Sequence, residues 1–314
     1  MNLLITGGTG SLGRALTAHF LQQDRVRKLI VFSRDELKQA EMAEEFTDPR
    51  MRFFLGDVRD RERLKRAMYD VSHVVHAAAL KRVDAVCYNP SEVIKTNVEG
   101  TVNVIDAAID EAVAKVVVVS SDKAVNPQNV YGASKFMAEQ YAVESNSYGR
   151  PQGTMVSCVR YGNVLGSRGS VVHVFKRMAA NGGIKLTDPR CTRFLITLKQ
   201  ACRLIEDAFT EMKGKEIFVP KLPTVGIEDL AAVIQLGRQS FEVTGLRPGG
   251  EKLHECLLTD EEIGRTVAHD GKYVVNGRPG FAALPADFRY SSDINPWRLT
   301  RDEIADLLRA EGYL

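Results

Sequence analysis

The sequence predicts an α/β fold, a doubly wound parallel sheet with a smaller C-terminal lobe, and three observations carry that prediction. A strand-like run at residues 3–6 leads into glycines spaced Gly7-x-x-Gly10-x-x-Gly13, and a helix-like run follows at residues 14–21. Short apolar runs then recur at residues 28–32, 51–55, 73–76 and 116–119, with helix-compatible segments between them. This is the alternation of a parallel sheet covered on both faces. Where the run 116–119 ends, hydroxyl and ionisable groups bunch together as Ser120-Ser121-Asp122-Lys123. Ligands of open α/β sheets lie just outside such strand exits.

Taken in order, the first glycine turn has the spacing of a Rossmann-like dinucleotide site. One glycine serves a tight turn, one the close approach of a pyrophosphate, and one the packing of helix on strand. The N–H groups at the helix start would hold the pyrophosphate, so Gly7, Thr9, Gly10, Ser11, Leu12 and Gly13 are candidate cofactor contacts. The second strand ends at Ser33-Arg34-Asp35, with Lys38 a turn further on. An acidic side chain there would take an adenosine 2′-hydroxyl and a cation its 2′-phosphate. Ser33, Arg34 and Lys38 favour NADP, and Asp35 is the feature that NAD would use. After the third strand, Asp57 and Val58 stand where an adenine edge is met, and Asp57 equally suits the cap of the helix through Arg61, Leu64 and Ala67. The fourth strand runs into Ala77, Ala78 and Ala79, whose small side chains let a cofactor lie close. His76 reads as a packed strand residue, and Lys81 as a phosphate or substrate contact.

Residues 97–111 have helical apolar spacing and precede the run 116–119, which reads as a strand buried on both faces. Residues 131–145 read as a helix that puts Tyr131 and Lys135 on one face. A lysine so placed lowers the pKa of the tyrosine hydroxyl and binds a cofactor ribose, and Ser121 completes a Ser-Tyr-Lys set. Residues 155–160 are a further strand. Beyond it lie a glycine-rich loop at 166–170, a helix-like run at 171–180, a strand at 216–220 and a helix at 227–236. Arg193 and Arg247, beside glycine-rich or irregular segments, suit a diphosphate. The expected division is a dinucleotide domain over 1–163, its sheet completed by parts of 191–238, and a substrate lobe from 164–190 and 239–314.

Composition narrows the function classes. Lys and Arg number 42 against 40 Asp and Glu, for a formal net charge of +2. That gives no support for nucleic acid as the main partner. Cys87, Cys158, Cys191, Cys202 and Cys256 form no C-x-x-C pair, which argues against a zinc site or a disulfide framework and fits a reducing compartment. No run of about twenty apolar residues is present, so no membrane span is expected. The first residues enter a strand with no basic leader. A cytoplasmic protein is the expectation.

The motifs Thr6-Gly7-Gly8-Thr9-Gly10-Ser11-Leu12-Gly13 and Tyr131-x-x-x-Lys135 resemble the extended short-chain dehydrogenase/reductase superfamily. More narrowly, the chain is similar to the C5-inverting UDP-N-acetylglucosamine 4,6-dehydratases of the pseudaminic acid type. That likeness runs through residues 32–39, 56–60, 76–81, 95–97, 121–127, 160–164, 166–172 and 192–194, then Arg247-Pro248 and residues 290–292. Asp122-Lys123 is its most specific part. Membrane-anchored, C5-retaining relatives usually carry Met where Tyr131 stands. The chain departs from the family pattern at Cys87, His173, Cys191, Leu195 and the doubled Gly249-Gly250.

The resemblance implies a hydro-lyase with bound NADP, a nucleotide-sugar substrate such as UDP-N-acetylglucosamine, and a homo-oligomer, a hexamer among the forms. It implies that Tyr131, helped by Lys135 and Ser121, takes the C4 hydroxyl proton. Lys123 is the base at C5 and Asp122 the acid at C6. Asn97 and Lys81 join the cofactor contacts. Substrate contacts fall on Lys81, Lys123, Asn163, Arg168, Gly169, Ser170, Val171, Val172, Arg193, Arg247 and Asn295. The roles need Lys123 partly neutral, through burial and the Lys135 charge, and Asp122 protonated, so the two are expected to titrate as a pair. Two other readings stand beside this one. A UDP-sugar 4-epimerase shares Tyr131 and Lys135 but needs no acid–base pair at 122 and 123. A non-catalytic NADP-sensing regulator would be expected to have lost Tyr131 or Lys135.

Overall fold

The computed structural model describes residues 1–82, 88–148, 153–235, 241–247, 250–277 and 281–314. Cys87, Leu236, Pro248 and Gly249, singled out in the sequence, lie outside them. The chain opens with β1 (Asn2–Thr6), the glycine turn and α1 (Ser11–Leu21), then β2 (Lys28–Ser33), α2 (Glu36–Glu45), β3 (Met51–Leu55), α3 (Arg61–Met68) and β4 (His73–His76). A helical stretch follows as α-helix over Pro90–Val93, a π-helical turn over Ile94–Glu99 and α4 (Gly100–Asp110). Next come β5 (Lys115–Val119), a 3₁₀ turn over Asp122–Ala124, α5 (Val130–Glu144) and β6 (Met155–Val159). The remainder contributes β7 (Asn163–Val164), α6 (Val171–Ala180), β8 (Lys185–Leu186), β9 (Thr192–Ile196), α7 (Leu198–Glu211), β10 (Ile217–Pro220), β11 (Thr224–Gly226) and α8 (Ile227–Ile234). It ends with β12 (Glu242–Val243), α9 (Asp260–Ile263), β13 (Thr266–His269), β14 (Lys272–Val275), β15 (Ala282–Ala283) and α10 (Arg301–Ala310).

Ten strands form one sheet in the order β15-β13-β14-β10-β6-β5-β4-β1-β2-β3. From β3 across to β10 every pairing is parallel, and β14, β13 and β15 add on antiparallel. The order reverses between β1 and β4, the crevice where doubly wound sheets bind ligands. The apolar runs of the sequence are buried because helices cover both faces. Leu3, Leu4 and Ile5 of β1 and Val116, Val117 and Val118 of β5 sit in one core with Phe20 of α1 and Ile205 of α7. A second apolar cluster joins α6, α8 and α10 through Val172, Phe175, Leu230, Ile304 and Leu308.

One expectation about the division of the chain is corrected. Among the described residues of 191–238, β10 joins the large sheet, while β9 and β11 pair with β7 in a separate three-stranded sheet. The segment 239–314, expected in the substrate lobe, returns to extend the large sheet with β13, β14 and β15. The physical reason is edge protection: β10 would otherwise be an open edge, and the antiparallel hairpin of β13 and β14 covers it. Among the described residues, no helix is long and apolar enough to cross a membrane.

Candidate active site

The glycine turn closes against the exit of β4. Gly7 has φ +65°, and a Cβ there would stand 2.8 Å from Ala78 Cα, so this close approach admits only glycine. Gly13 carries the helix–strand contact: a Cβ on it would meet Gly8 O at 2.3 Å. Gly10 is the N-cap of α1 and offers no side-chain hydrogen bond to the first turn. The helix start is thus open to an anion, which fits a pyrophosphate held by Ser11, Leu12 and Gly13 N–H groups. Ala77 and Ala78 serve here as the floor under Gly7, a role beyond making room for a cofactor.

At the end of β2 the polar groups have protein partners. Asp35 caps α2, accepting from Lys38 N at 3.0 Å, and its carboxylate pairs with the Lys38 ammonium. The Lys38 hydrogen bonds hold Asp35 below the ordinary carboxyl value. Ser33 Oγ accepts from Gln39 Nε2 at 3.1 Å, a partner the sequence did not point to. Arg34 lies half exposed, 3.4 Å from Asp57. Asp57 does not cap α3: Asp60 does, accepting from Arg63 N, because Asp57 is engaged by Arg59 at 2.7 Å. The Val58 side chain is buried against Gly100.

Behind the crevice, His76 is buried between Thr6 (2.7 Å) and Thr101 (3.0 Å), and burial pushes its imidazole down to about 3. It is a neutral packed residue, as expected. Asn97 lies in the π-helical turn, a feature frequent at functional sites. Its side chain accepts from Leu80 N at 2.8 Å and donates to Leu80 O and Ser134 Oγ, each at 3.0 Å. It therefore ties the exit of β4 to α5. Lys81 reaches Ser167 Oγ at 3.4 Å, bridging that exit to the glycine-rich loop.

The catalytic candidates converge where β5 and β6 end. Ser120 N and Asp122 N donate to Val159 O (2.8 Å) and Tyr161 O (3.0 Å), so the ladder of the sheet carries on into the turn. Ser121 caps the 3₁₀ turn, and Asp122 is wholly buried. Gly132 lets α5 sit on this turn, since a Cβ there would be 2.5 Å from Lys123 O, and Asn129 caps α5 through Gly132 N at 2.9 Å. Tyr131, hydrogen-bonded with Ser121, and Lys135, which reaches Val119 O, are both brought to the exit of β5. Asp122 Oδ1 accepts from Ser121 Oγ (2.8 Å) and Lys123 Nζ (2.9 Å), while Asp122 Oδ2 has no hydrogen-bond partner among the described residues. An orphaned buried carboxyl oxygen is costly unless it is protonated or meets a substrate.

The electrostatics differ in part from expectation. Burial raises the Asp122 carboxyl above its ordinary value, with Lys123 opposing and Glu255 reinforcing the rise. Lys123 was expected to be partly neutral. Burial does push it down, but the carboxylates of Asp122 and Glu255 outweigh that and raise it. Lys135 was expected to lower Tyr131. Instead burial raises the Tyr131 hydroxyl, opposed chiefly by Lys123 and by a hydrogen bond with Ser121. Lys135 donates to Val119 O at 2.5 Å, and burial brings its own value down to about 8.

A cavity of about 100 Å³ opens over this cluster, lined by Lys123, Asn129, Asn163, Arg193, Arg247 and Glu255 among others. Asn163 Oδ1 is 3.3 Å from Lys123 Nζ. Glu251 bridges Arg193 (3.3 Å) and Arg247 (2.8 Å), and Arg193 also holds Lys252 O and Leu253 O. Gly250, of the doubled glycine, has φ +86°, and a Cβ on it would be 2.6 Å from Gln128 O. It is therefore a requirement of the contact between this segment and the turn before α5.

Other substrate candidates are placed elsewhere. Arg168 N donates to Ser11 Oγ at 3.1 Å, beside the glycine turn, and Gly169 (φ +78°) continues that loop. Ser170 stands at the N-cap position of α6 without a side-chain hydrogen bond to it, Val171 begins the helix, and Val172 is packed in the second cluster. Asn295 donates to Leu222 O at 2.8 Å, away from the cavity, since the chain needs it to fasten the segment before α10. Of the family departures, His173 bonds Gly166 O at 2.9 Å, Cys191 is buried 3.9 Å from Lys252 O, and Leu195 is buried. Glu255, Lys252 and Glu251 were missed as site residues. Their signal was the charge-dense run just after the glycines, whose partners no local spacing reveals. Among the described residues no cluster of His, Cys, Asp or Glu suits a metal ion.

Residues 3–277 match the family described as polysaccharide biosynthesis protein. The chain is 41% identical to the UDP-N-acetylglucosamine 4,6-dehydratase (inverting) of Campylobacter jejuni, covering 99% of this chain and 98% of that protein. It is 40% identical to a protein named UDP-glucose 4-epimerase from Rickettsia felis, over 99% of this chain and 96% of that one. Among solved structures, Pen from Bacillus thuringiensis superposes with a TM-score of 0.91 at 36% identity, covering 98% of each chain. The dTDP-glucose 4,6-dehydratase DesIV of Streptomyces venezuelae, solved with NAD bound, gives 0.72 at 26% identity over 80% of this chain and 86% of that one.

Proposed function

The chain belongs to the polysaccharide biosynthesis protein family, and from that premise we propose that it is a nucleotide-sugar 4,6-dehydratase, acting on UDP-N-acetylglucosamine with inversion at C5. The observation that carries this is the pair of buried Asp122 and half-buried Lys123 at 2.9 Å, set in the same cluster as Tyr131. A tyrosine and lysine alone suffice to oxidise and re-reduce C4. An acid and a base beside them are what removal of water requires.

A nicotinamide cofactor held at the glycine turn by Gly7, Gly10 and Gly13 would supply hydride-transfer chemistry at C4 and C6. The residues of this chain handle the protons. Tyr131, as its phenolate, takes the C4 hydroxyl proton. The ketone acidifies C5, and Lys123, once neutral, takes the C5 proton. Asp122 gives its proton to the C6 hydroxyl, which leaves as water, and Lys123 returns a proton to C5 on the other face. Tyr131 ends with one proton gained and Asp122 with one lost. Ser121, hydrogen-bonded to both, lies on the path that restores them. Because the Asp122 and Glu255 carboxylates raise Lys123, its neutral form arises as its proton passes to Asp122 across the 2.9 Å contact, which readies the base and the acid together.

The cofactor proposed is NADP. Asp35, the residue NAD would need, is engaged as the cap of α2, while Arg34 stands half exposed at the end of β2. Arg193, Arg247 and Lys252 are the proposed diphosphate contacts. A homo-oligomer and a cytoplasmic setting belong to the same reading. Exposed Phe136 and Met137 on α5 support the first, and free Cys158, Cys191, Cys202 and Cys256 the second.

The test is incubation with UDP-N-acetylglucosamine in deuterium oxide, followed by NMR and mass spectrometry. Loss of water with deuterium at C5 and inverted C5 is the expected result. The relatives named epimerase make C4 epimerisation the second reading, and a C4 epimer formed without loss of water would establish it instead.

A further inference from the structure

Glu255 lies outside every motif the sequence singled out, yet it is in contact with the base. Its side chain is 4% exposed, with Oε1 3.4 Å from Lys123 Nζ and Oε2 3.3 Å from Lys252 Nζ. The backbone is clamped on both sides, Glu255 N donating to Ser292 Oγ (2.9 Å) and Glu255 O accepting from Ser292 N (2.8 Å). Lys123 Nζ has three protons to give. It faces three acceptors from three parts of the chain: Asp122 Oδ1 at 2.9 Å, Asn163 Oδ1 at 3.3 Å and Glu255 Oε1 at 3.4 Å.

Resting on the dehydratase reading, we propose that Glu255 is a positioning residue of the reaction, aiming the Lys123 amine by this third contact and keeping a second negative charge beside Asp122. The site needs both services. An amine that takes a proton from one face of C5 and returns one to the other must hold a fixed place between Asp122 and the sugar. An acid at C6 must stay protonated next to an ammonium, and a nearby carboxylate offsets that ammonium. The charged and titratable groups facing the cluster are Asp122, Lys123, Tyr131, Arg193, Lys252 and Glu255, with Glu251 behind Arg193. Glu255 is the group in this set that favours the protonated form of both Asp122 and Lys123.

The experiment compares the wild-type enzyme with Glu255→Gln and Glu255→Asp. Loss of the charge lowers the pKa of both partners, so both limbs of the kcat–pH profile move to lower pH, by about one unit for a charge at this distance. Misplacement of the amine lowers kcat about a hundredfold with KM little changed. Glu255→Asp keeps the charge and should restore the wild-type profile. A second readout needs no turnover: lysines are dimethylated with carbon-13 formaldehyde, and the Lys123 signal, assigned by its loss in Lys123→Arg, is titrated by NMR. Its pKa should fall in Glu255→Gln and stay in Glu255→Asp. An unchanged Lys123 titration and pH profile in a folded Glu255→Gln protein overturns the proposal. If wild-type enzyme removes no water from the sugar, the dehydratase reading fails while the lysine titration still decides whether Glu255 governs Lys123.

Discussion

Asp122 and Lys123 are neighbours in sequence with opposite proposed tasks, and their surroundings separate them. Asp122 is buried with one oxygen unpartnered, whereas Lys123 is held among three acceptors. Two substitutions therefore divide the reaction. Asp122→Asn has no proton to give, so elimination should fall by roughly 10²–10⁴ while C5–H exchange into deuterium oxide persists. Lys123→Met should lose the exchange as well, by a similar factor. Both are read by NMR of the recovered sugar. If Asp122→Asn also stopped the exchange, the assignment of acid and base would have to be reversed or merged. Tyr131 acts earlier, so Tyr131→Phe should abolish C4 oxidation and everything after it.

At the scale of elements, glycine contacts and one buried ion cluster hold the site in register. Gly13 has no room for a Cβ against Gly8, and both flank the pyrophosphate turn. Gly13→Ala should cost roughly 1–3 kcal/mol of stability by overpacking and weaken cofactor binding, measured by denaturant unfolding and by NADP titration. Arg160 leaves β6 fully buried and joins Glu139 of α5 (2.5 Å), Glu262 of α9 (2.7 Å) and Leu257 O (2.9 Å). It ties the helix bearing Tyr131 and Lys135 to the segment that carries Glu255. Arg160→Met leaves two carboxylates unpaired and should destabilise by roughly 3–5 kcal/mol. The sign of the pH dependence follows from Glu262: burial pushes its carboxyl up, but the Arg160 hydrogen bonds outweigh this and hold it below its ordinary 4.5. A carboxyl depressed on folding contributes stability above 4.5 that is lost as the pH falls through the folded value. Unfolding measured from neutral to acid pH should show that loss in wild type and not in Arg160→Met.

For the whole molecule, the two ligand sites belong to different parts of the fold. The glycine turn and β2 face one side of the crevice, and the segment at residues 250–255 closes the other by anchoring to β9 and to Ser291 and Ser292. Ligands that bind only the folded state stabilise it by mass action, about 2.7 kcal/mol at about 100 times Kd. NADP and UDP should each raise the unfolding temperature. Arg193→Met, which removes a cation from the cavity and the anchor of Lys252 O and Leu253 O, should lose the UDP shift and keep that of NADP. Loss of both shifts would mean that Arg193 supports the fold more widely.

The sequence by itself determined the sheet from β1 to β6, the glycine turn and the grouping of Asp122, Lys123, Tyr131 and Lys135. These features rest on local periodicity, on glycine spacing and on residues within one strand exit and one helix turn, all of which act at short range along the chain. Only the tertiary structure decided that β13, β14 and β15 extend the sheet, that Asn295 and Val172 are taken up in packing, and that Arg168 sits beside Ser11. It also decided the direction in which the groups around Lys123 shift. Tyr131 shifts opposite to the simplest expectation because burial is a property of the whole fold, and Lys123 does so because Asp122 and then Glu255, the latter distant in sequence and carried against Lys123 by backbone bonds to Ser292 that no local spacing encodes, outweigh its burial.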